Sequence, residues 1–328
     1  MTIREVAALA GVSPAAVSRY MNGGPLSEEK QEKIRRVIDQ TGYRPNQIAQ
    51  SMRTGKGGQI GVIVPRLYSD SVAQVMEGIA EGLQNQNYVP ILGCTYLDVE
   101  KEISYLEAMQ SSQVAGVILM GTILTPALEN TIHSCSKPVV VTGQNFAGVP
   151  CVYHDDFHAV SELTARMIGT GRQELAFIGV DERDVAVGKN RRLGFEAAAA
   201  EAGIRPEKLH YAVSRFDADS GEAAMDELLG KYPGIDGVIC ATDMIALGAM
   251  NALFRSGKRV PEDAGIAGVG DSWADKVARP ALTTAHLYFR ECGLAAVEIL
   301  LQRIGNEIPE SPVRKTMLEY SIIERGSM

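Results

Sequence analysis

A chain of 328 residues, 45% hydrophobic and 22% charged, is ordinary globular material, long enough for about two or three domains and a sizeable core. It opens directly with Thr2-Ile3-Arg4-Glu5 instead of a basic and apolar leader, and no apolar run approaches the roughly 20 residues of a membrane span. A cytoplasmic protein without a membrane partner is expected.

The net charge of −8 hides an asymmetry: residues 1–58 hold nine Lys/Arg against five acids, a net +4, which leaves −12 for the remainder. A small basic module on an acidic body is the footprint of a segment that meets phosphates while the rest avoids them. Cys94, Cys135, Cys151, Cys240 and Cys292 are scattered without C-x-x-C spacing, which fits buried small hydrophobes. No metal and no cofactor is expected.

In chain order, Thr2 to Glu5 fits a capping box, and Ile3, Val6, Ala7, Leu9 and Ala10 give a short amphipathic helix ended by Gly11. Ser13 is a suitable N-cap for a second helix with Pro14 in its first position, Val17 and Met21 inward, and Ser18, Arg19 and Asn22 free for contact. A third helix starts at Ser27, carries Glu28 and Glu29 in its first turn and buries Ile34, Val37 and Ile38 before Gly42. Two short helices around a tight glycine turn make a helix-turn-helix, whose second helix can enter a major groove; the small Ala15 and Ala16 allow close approach. Residues 45–53 could form a short helix before the glycine-rich linker 54–58, marginal alone and ordered when paired with a twin on DNA, where Met52 would wedge into the minor groove. The expected division is a helix-turn-helix domain over 1–45, hinge helix and linker over 46–58, and a sensing and dimerisation domain over 59–328.

From residue 60 β-rich runs alternate with amphipathic helical stretches: strands at 60–65, 89–94, 116–120 and 138–142 with helices at 72–86 and 99–112. A second set follows, with strands at 175–180, 209–213, 237–241 and 265–269 and helices at 189–202, 219–231 and 243–256. The rhythm predicts α/β architecture, two lobes each built on a doubly wound parallel sheet, preceded by the all-α N-terminal domain. Ligands of such sheets bind beyond the carboxyl ends of the strands, and a cleft between lobes is the natural site. The strand-end residues are polar: Arg66, Ser69, Thr122, Gln144, Asp155, Lys189, Arg191, Asp243 and Asp271. Carboxylates and bidentate arginines suit sugar hydroxyls, and Arg66, Lys189 and Arg191 together would suit an anion. Trp273, the only tryptophan, could stack on a pyranose ring or pack in the core. Enzyme signatures are missing: there is no G-x-G-x-x-G after a strand, no G-x-x-x-x-G-K-[ST], no G-x-S-x-G and no H-E-x-x-H.

The run from Val6 to Asn22, with Gly42-Tyr43-Arg44-Pro45-Asn46 and Ile48-Ala49, closely resembles the lactose-repressor family. So do Cys240-Ala241-Thr242-Asp243, Arg191-x-x-Gly194-Phe195, Val260-Pro261-Glu262-Asp263 and Pro280-Ala281-Leu282-Thr283-Thr284 in the body. The resemblance implies a two-lobed domain like the periplasmic binding proteins and a dimeric repressor whose operator affinity falls when a sugar binds between the lobes. It implies that Pro14, Ala15 and Arg19 face operator bases and that Met52 stands where the family usually has an intercalating leucine. With Thr2, Ser13, Ala16, Ser18, Asn22, Tyr43, Asn46 and Ala49 these make the expected DNA-contacting set. It also carries the family's effector-binding arginine to Arg191 and its helix-start aspartate to Asp243. One departure is that Gly270 is followed directly by Asp271-Ser272-Trp273, where the family commonly has Gly-aromatic-Asp, so Asp271 is expected to reach a different ligand atom. Within the family, the stretches 151–159, 141–144 and 282–289 look most like sucrose-operon repressors, then trehalose-operon repressors. A disaccharide or disaccharide phosphate of the sucrose type is the expected effector, the phosphate preferred. A trehalose 6-phosphate regulator or a cytoplasmic sugar-binding protein without a DNA role are the alternatives.

Overall fold

The computed structural model describes residues 1–21, 23–43, 58–306, 308 and 312–328. Two compact units divide the chain, Met1–Gly58 and Gln59–Met328. In the first, α1 (Ile3–Ala10), α2 (Pro14–Met21) and α3 (Glu28–Thr41) enclose a small core of Val6, Ala7, Ala10, Ala16, Val17, Ile34 and Val37. Local chemistry sets the helix ends. The Thr2 hydroxyl accepts from the Glu5 amide at 3.3 Å while the Glu5 carboxylate accepts from the Thr2 amide at 2.7 Å, and Gly11 closes α1 in the left-handed region at φ 62°. The Ser13 hydroxyl accepts from the Ala16 amide at 3.2 Å. The expected hinge helix, with Asn46, Ala49 and Met52, and Asn22 lie outside the described residues.

The second unit has two six-stranded sheets. The first has the order β11-β5-β4-β3-β1-β2, the second β12-β10-β9-β8-β6-β7. The strands of the first are β1 (Gly58–Val64), β2 (Tyr88–Cys94), β3 (Val114–Met120), β4 (Val139–Thr142), β5 (Cys151–His154) and β11 (Lys315–Leu318). Those of the second are β6 (Leu175–Gly179), β7 (Leu209–Val213), β8 (Gly237–Cys240), β9 (Gly265–Val269), β10 (Thr283–Leu287) and β12 (Tyr320–Ile323). The β10–β12 pair is antiparallel, and pairings such as β1–β3, β3–β4, β6–β8 and β8–β9 are parallel. Continuous apolar runs such as Val139–Thr142 and Leu175–Gly179 are buried along their whole length, as strands covered on both faces require.

The lobes are not consecutive halves of the sequence. After β5 the chain leaves the first lobe and forms α7 (Asp156–Gly169), which packs on β8, β9, β10 and β12 of the second. After β10 it returns as α12 (Phe289–Ile304), which packs on β3, β4 and β5 and against α4 (Asp70–Gly82). It crosses a third time between β11 and β12. The α4–α12 contact depends on reciprocal glycines: a Cβ on Gly78 would sit 1.9 Å from the Arg290 carbonyl, and one on Gly293 2.2 Å from the Val75 carbonyl. Three crossings near Asp155, Tyr288 and Glu319 thus join the lobes, and the carboxyl ends of β1, β3, β4 and β6 lead into the cleft between them.

Candidate functional site

In the N-terminal unit the second helix presents an exposed edge. Pro14, Ala15 and Arg19 are exposed, as is Ser13; Ser18 is half-buried. Ala16 differs from expectation: it is 8% exposed and packs with Val17 into the core, because its position on α2 faces α1 and α3. Tyr43 is half-buried against the same core, and Thr2 is occupied by its capping box. An exposed helix edge of small residues ending in an arginine can approach base edges without steric hindrance.

The cleft is built from loops that follow β1, β3, β4 and β6. Gln144, 2% exposed, donates from Nε2 to the Thr122 carbonyl at 3.0 Å and to Asp184 Oδ1 at 2.7 Å, and its Oε1 accepts from the Ala186 amide at 3.2 Å. One amide therefore ties the first lobe to a π-helical turn (Val185–Asn190) of the second. Ile123 and Asp184 form a β-bridge at the same place. Arg66, past β1, donates to the Phe216 carbonyl at 3.2 Å and places its guanidinium carbon 4.2 Å from the Phe216 ring centroid. Burial lowers the pKa of Arg66, opposed by the nearby Asp184 and Asp217.

Two acids occupy this seam. Asp184 accepts from the Val187 amide at 3.0 Å, and burial nonetheless pushes its carboxyl up to about 6. Glu102, on α5 (Val99–Ser111) and 1% exposed, accepts from the Thr122 hydroxyl at 3.3 Å and is pushed up to about 7, chiefly by burial. Its Oε2 is buried without a partner, as is Arg66 Nε. Neither Glu102, Asp184 nor Phe216 is singled out by the sequence pattern. Glu102 carries one signal: it lies four residues before the fully buried Leu106, on the same helix face.

The remaining predicted residues belong mostly to the interior of the second lobe or its hinge. Arg191, which starts α8 (Arg191–Glu201), is 3% exposed and bonds Asp156 Oδ1 from Nε at 2.8 Å and from Nη2 at 2.7 Å, with Nη1 on the Ala241 carbonyl. Its charge is already paired. Lys189 is exposed and Arg66 sits beside acids, so the expected triad of cations awaiting one anion is not what the structure presents. Asp155 caps α7, accepting from the His158 amide at 3.2 Å and facing its ring Nδ1 at 2.8 Å. Ser69 precedes α4 with its hydroxyl 3.0 Å from that of Ser71.

Asp243 begins α10 (Asp243–Arg255) and is buried, accepting from the Thr284 hydroxyl at 2.6 Å and the Ser272 amide at 3.2 Å. Burial and the adjacent Asp275 raise its pKa well above the ordinary carboxylate range; burial raises that of Asp275 too. The glycine at 270 has a physical reason. It adopts φ 146°, and a Cβ there would lie 2.5 Å from Asp243 Oδ2. Asp271 bonds Arg325 and lies 3.1 Å from His286 Nδ1; burial works against its ionisation, but Arg325 outweighs it and lowers the pKa. Trp273, at the start of α11 (Trp273–Val277), is 71% exposed, which removes the core-packing reading.

Comparison with known proteins agrees with this architecture. Residues 2–46 match the family model of bacterial regulatory proteins, lacI family, and residues 164–328 that of a periplasmic binding protein-like domain. The sucrose operon repressor of Staphylococcus xylosus is 32% identical over 312 residues, 95% of this chain and 96% of that protein. A complex of the transcriptional regulator CelR with cellobiose superposes with TM-score 0.75 at 28% identity over the whole of both chains. The lac repressor dimer bound to operator and an anti-inducer shares the fold, with TM-score 0.89 at 22% identity over 100% of this chain and 98% of that one. These relatives are regulators rather than enzymes, and in this chain the lacI-family segment precedes the periplasmic binding protein-like one. The chain belongs to the lacI family of bacterial regulatory proteins.

Proposed function

We propose that this protein is a cytoplasmic repressor that binds a pseudo-palindromic operator as a homodimer and releases it when a neutral disaccharide of the sucrose type occupies the cleft. The DNA-contacting set is the exposed edge of α2, with Pro14, Ala15 and Arg19 foremost, assisted by the hinge residues Asn46, Ala49 and Met52. Thr122, Gln144 and Lys189 are the effector residues to which we give most weight, joined by Glu102 and Asp184, while Arg66 serves the closed arrangement of the lobes through Phe216. Arg191 acts by holding Asp156 and the second lobe in shape.

One observation carries the choice of a neutral sugar: the seam between the lobes holds two buried acids, Glu102 and Asp184, against a single arginine that already faces an aromatic ring. A phosphate placed there would meet Asp184 and would oppose any ionisation of Glu102, whereas a sugar hydroxyl can accept from or donate to a carboxyl group in either form. Effector binding between lobes that already touch through Gln144 and Arg66 shifts the balance of open and closed forms, and the operator-binding arrangement responds by linkage. Calorimetric titration of the full chain with sucrose, sucrose 6-phosphate and trehalose 6-phosphate tests the reading. Sucrose binds best and, added to the operator complex, releases DNA in a retardation gel. Tighter binding of either phosphate would overturn the neutral-sugar assignment.

A further inference from the structure

At the seam between the lobes Arg66 Nε and one carboxyl oxygen of Glu102 are buried without a partner, and the carboxyl group is the one that can change its protonation. Glu102 is 1% exposed, its Oε1 has a single 3.3 Å hydrogen bond from Thr122, and its Oε2 has no partner. A carboxylate left this way would be a buried charge with half its lone pairs bare, which is costly. A carboxylic acid would carry a hydroxyl on Oε2 with nothing to donate to. Either form lacks one group, and the position beside Thr122, in the loop after β3 where the two lobes meet, is where a ligand would supply it.

The charged surroundings decide which form is present. Asp98, the N-cap of the same helix, and Asp184, from the facing lobe, both disfavour ionisation of Glu102. Thr122 opposes them with a neutral hydrogen bond. Arg66 is a cation of the seam, and it faces Asp184 and Asp217. Asp184 in turn feels Arg191 and Asp156 and is bonded by Gln144 and the Val187 amide. Burial and two carboxylates against one hydroxyl hold a proton on Glu102, and its pKa of about 7 places the loss of that proton within the physiological range.

We propose that Glu102 is a proton-linked effector residue: in its acid form it donates a hydrogen bond from Oε2 to an oxygen of the neutral sugar, and effector binding requires that proton. This rests on the neutral-sugar reading above. A sugar hydroxyl or ring oxygen accepts the bond without adding charge, and closing the lobes over it removes the last water, which favours the acid further. Sugar binding therefore takes up a proton above neutral pH. The protein then senses its sugar more weakly as the cytoplasm becomes alkaline.

The test is calorimetry of the full chain with sucrose between pH 5.5 and 8.5, in buffers of different ionisation heat, on wild type, Glu102→Gln, Glu102→Ala and Asp184→Asn. Affinity of the wild type is flat below pH 6 and falls about tenfold per pH unit well above 7, with a proton taken up. Glu102→Gln keeps a donor at the same place and binds with a flat profile; Glu102→Ala loses roughly three- to tenfold at pH 6. Asp184→Asn retains a slope. A flat wild-type profile, affinity rising with pH, or an unchanged slope in Glu102→Gln overturns the proposal and leaves the effector assignment standing. Infrared difference spectra of wild type against Glu102→Gln at pH 6 check the proton itself through the carboxylic acid carbonyl band. If sucrose fails to bind at any pH while that band is present, the effector assignment falls and takes this role with it.

Discussion

In the second lobe the strand-end side chains bond to one another. Arg191 meets Asp156, Asp243 meets Thr284 and Ser272, and Asp271 meets Arg325 and His286. In the first lobe the corresponding side chains reach outward, Gln144 to Asp184 and Arg66 to Phe216. The same rule, polar residues at the carboxyl ends of parallel strands, thus produces a stiff internal scaffold on one side of the cleft and a set of cross-cleft contacts on the other. Substitutions in the second lobe should register as stability, and those in the first as ligand response.

The largest expected effect is Arg191→Ala. Removing the cation leaves Asp156, 4% exposed, as an uncompensated buried charge, a loss of about 3–5 kcal/mol. Thermal unfolding should shift down by roughly 10 °C, with effector binding lost along with the shape of the second lobe. Unchanged melting combined with loss of sugar response would assign Arg191 to the ligand instead, and erase the contrast between the lobes.

That contrast was only half legible in the sequence. Alternating runs placed β1, β3, β4, β6, β7, β8 and β9 to within a residue or two, because buried parallel strands are short apolar blocks. The capping box at Thr2 and the glycine at position 11 marked α1 for equally local reasons. Strand-end position identified Arg66, Thr122 and Gln144, which do line the seam. It could not separate them from Arg191 and Asp271, whose partners Asp156 and Arg325 lie 35 and 54 residues away. The return of α12 to the first lobe lies outside the predicted elements, which end with the strand at 265–269. Glu102 stands outside the predicted site set, because its one sequence signal, a place four residues before Leu106 on the same helix face, is weak among the neighbouring charges Glu100 and Lys101.

A pH experiment sharpens the comparison next. Asp243 and Asp275 are buried side by side in the second lobe, each carboxyl within the influence of the other. Raised folded-state pKa values mean that the stability they contribute is complete at acid pH, below the unfolded carboxylate range, and declines as pH rises toward the folded values. Asp275→Asn removes one of the two ionisations. It should melt higher than wild type at pH 8, by a few degrees for about 1 kcal/mol, and show a shallower decline between pH 5 and 9. A wild-type melting temperature that rises over that interval would mean that the pair is compensated by something other than a shared proton.

The smallest effect on stability, and the most specific on response, is expected of Phe216→Ala. Phe216 is half-buried beyond β7, and its ring is one face of the Arg66 contact across the cleft. A cation–π contact at a partly exposed site is worth about 0.5–2 kcal/mol, and only the closed arrangement of the lobes makes it. Truncation should leave unfolding within a few degrees of wild type while shifting the lobe equilibrium toward open by as much as the contact contributed, about 2- to 30-fold. Effector affinity falls by the fraction of closed form lost, and operator affinity without sugar stays the same or rises. Arg66→Ala should give the same pattern, and the double substitution should add little to either single one, because both remove one contact. Fully additive losses in sugar affinity would show instead that Arg66 and Phe216 each touch the ligand separately, and would leave Gln144 as the lobe-to-lobe contact of the cleft.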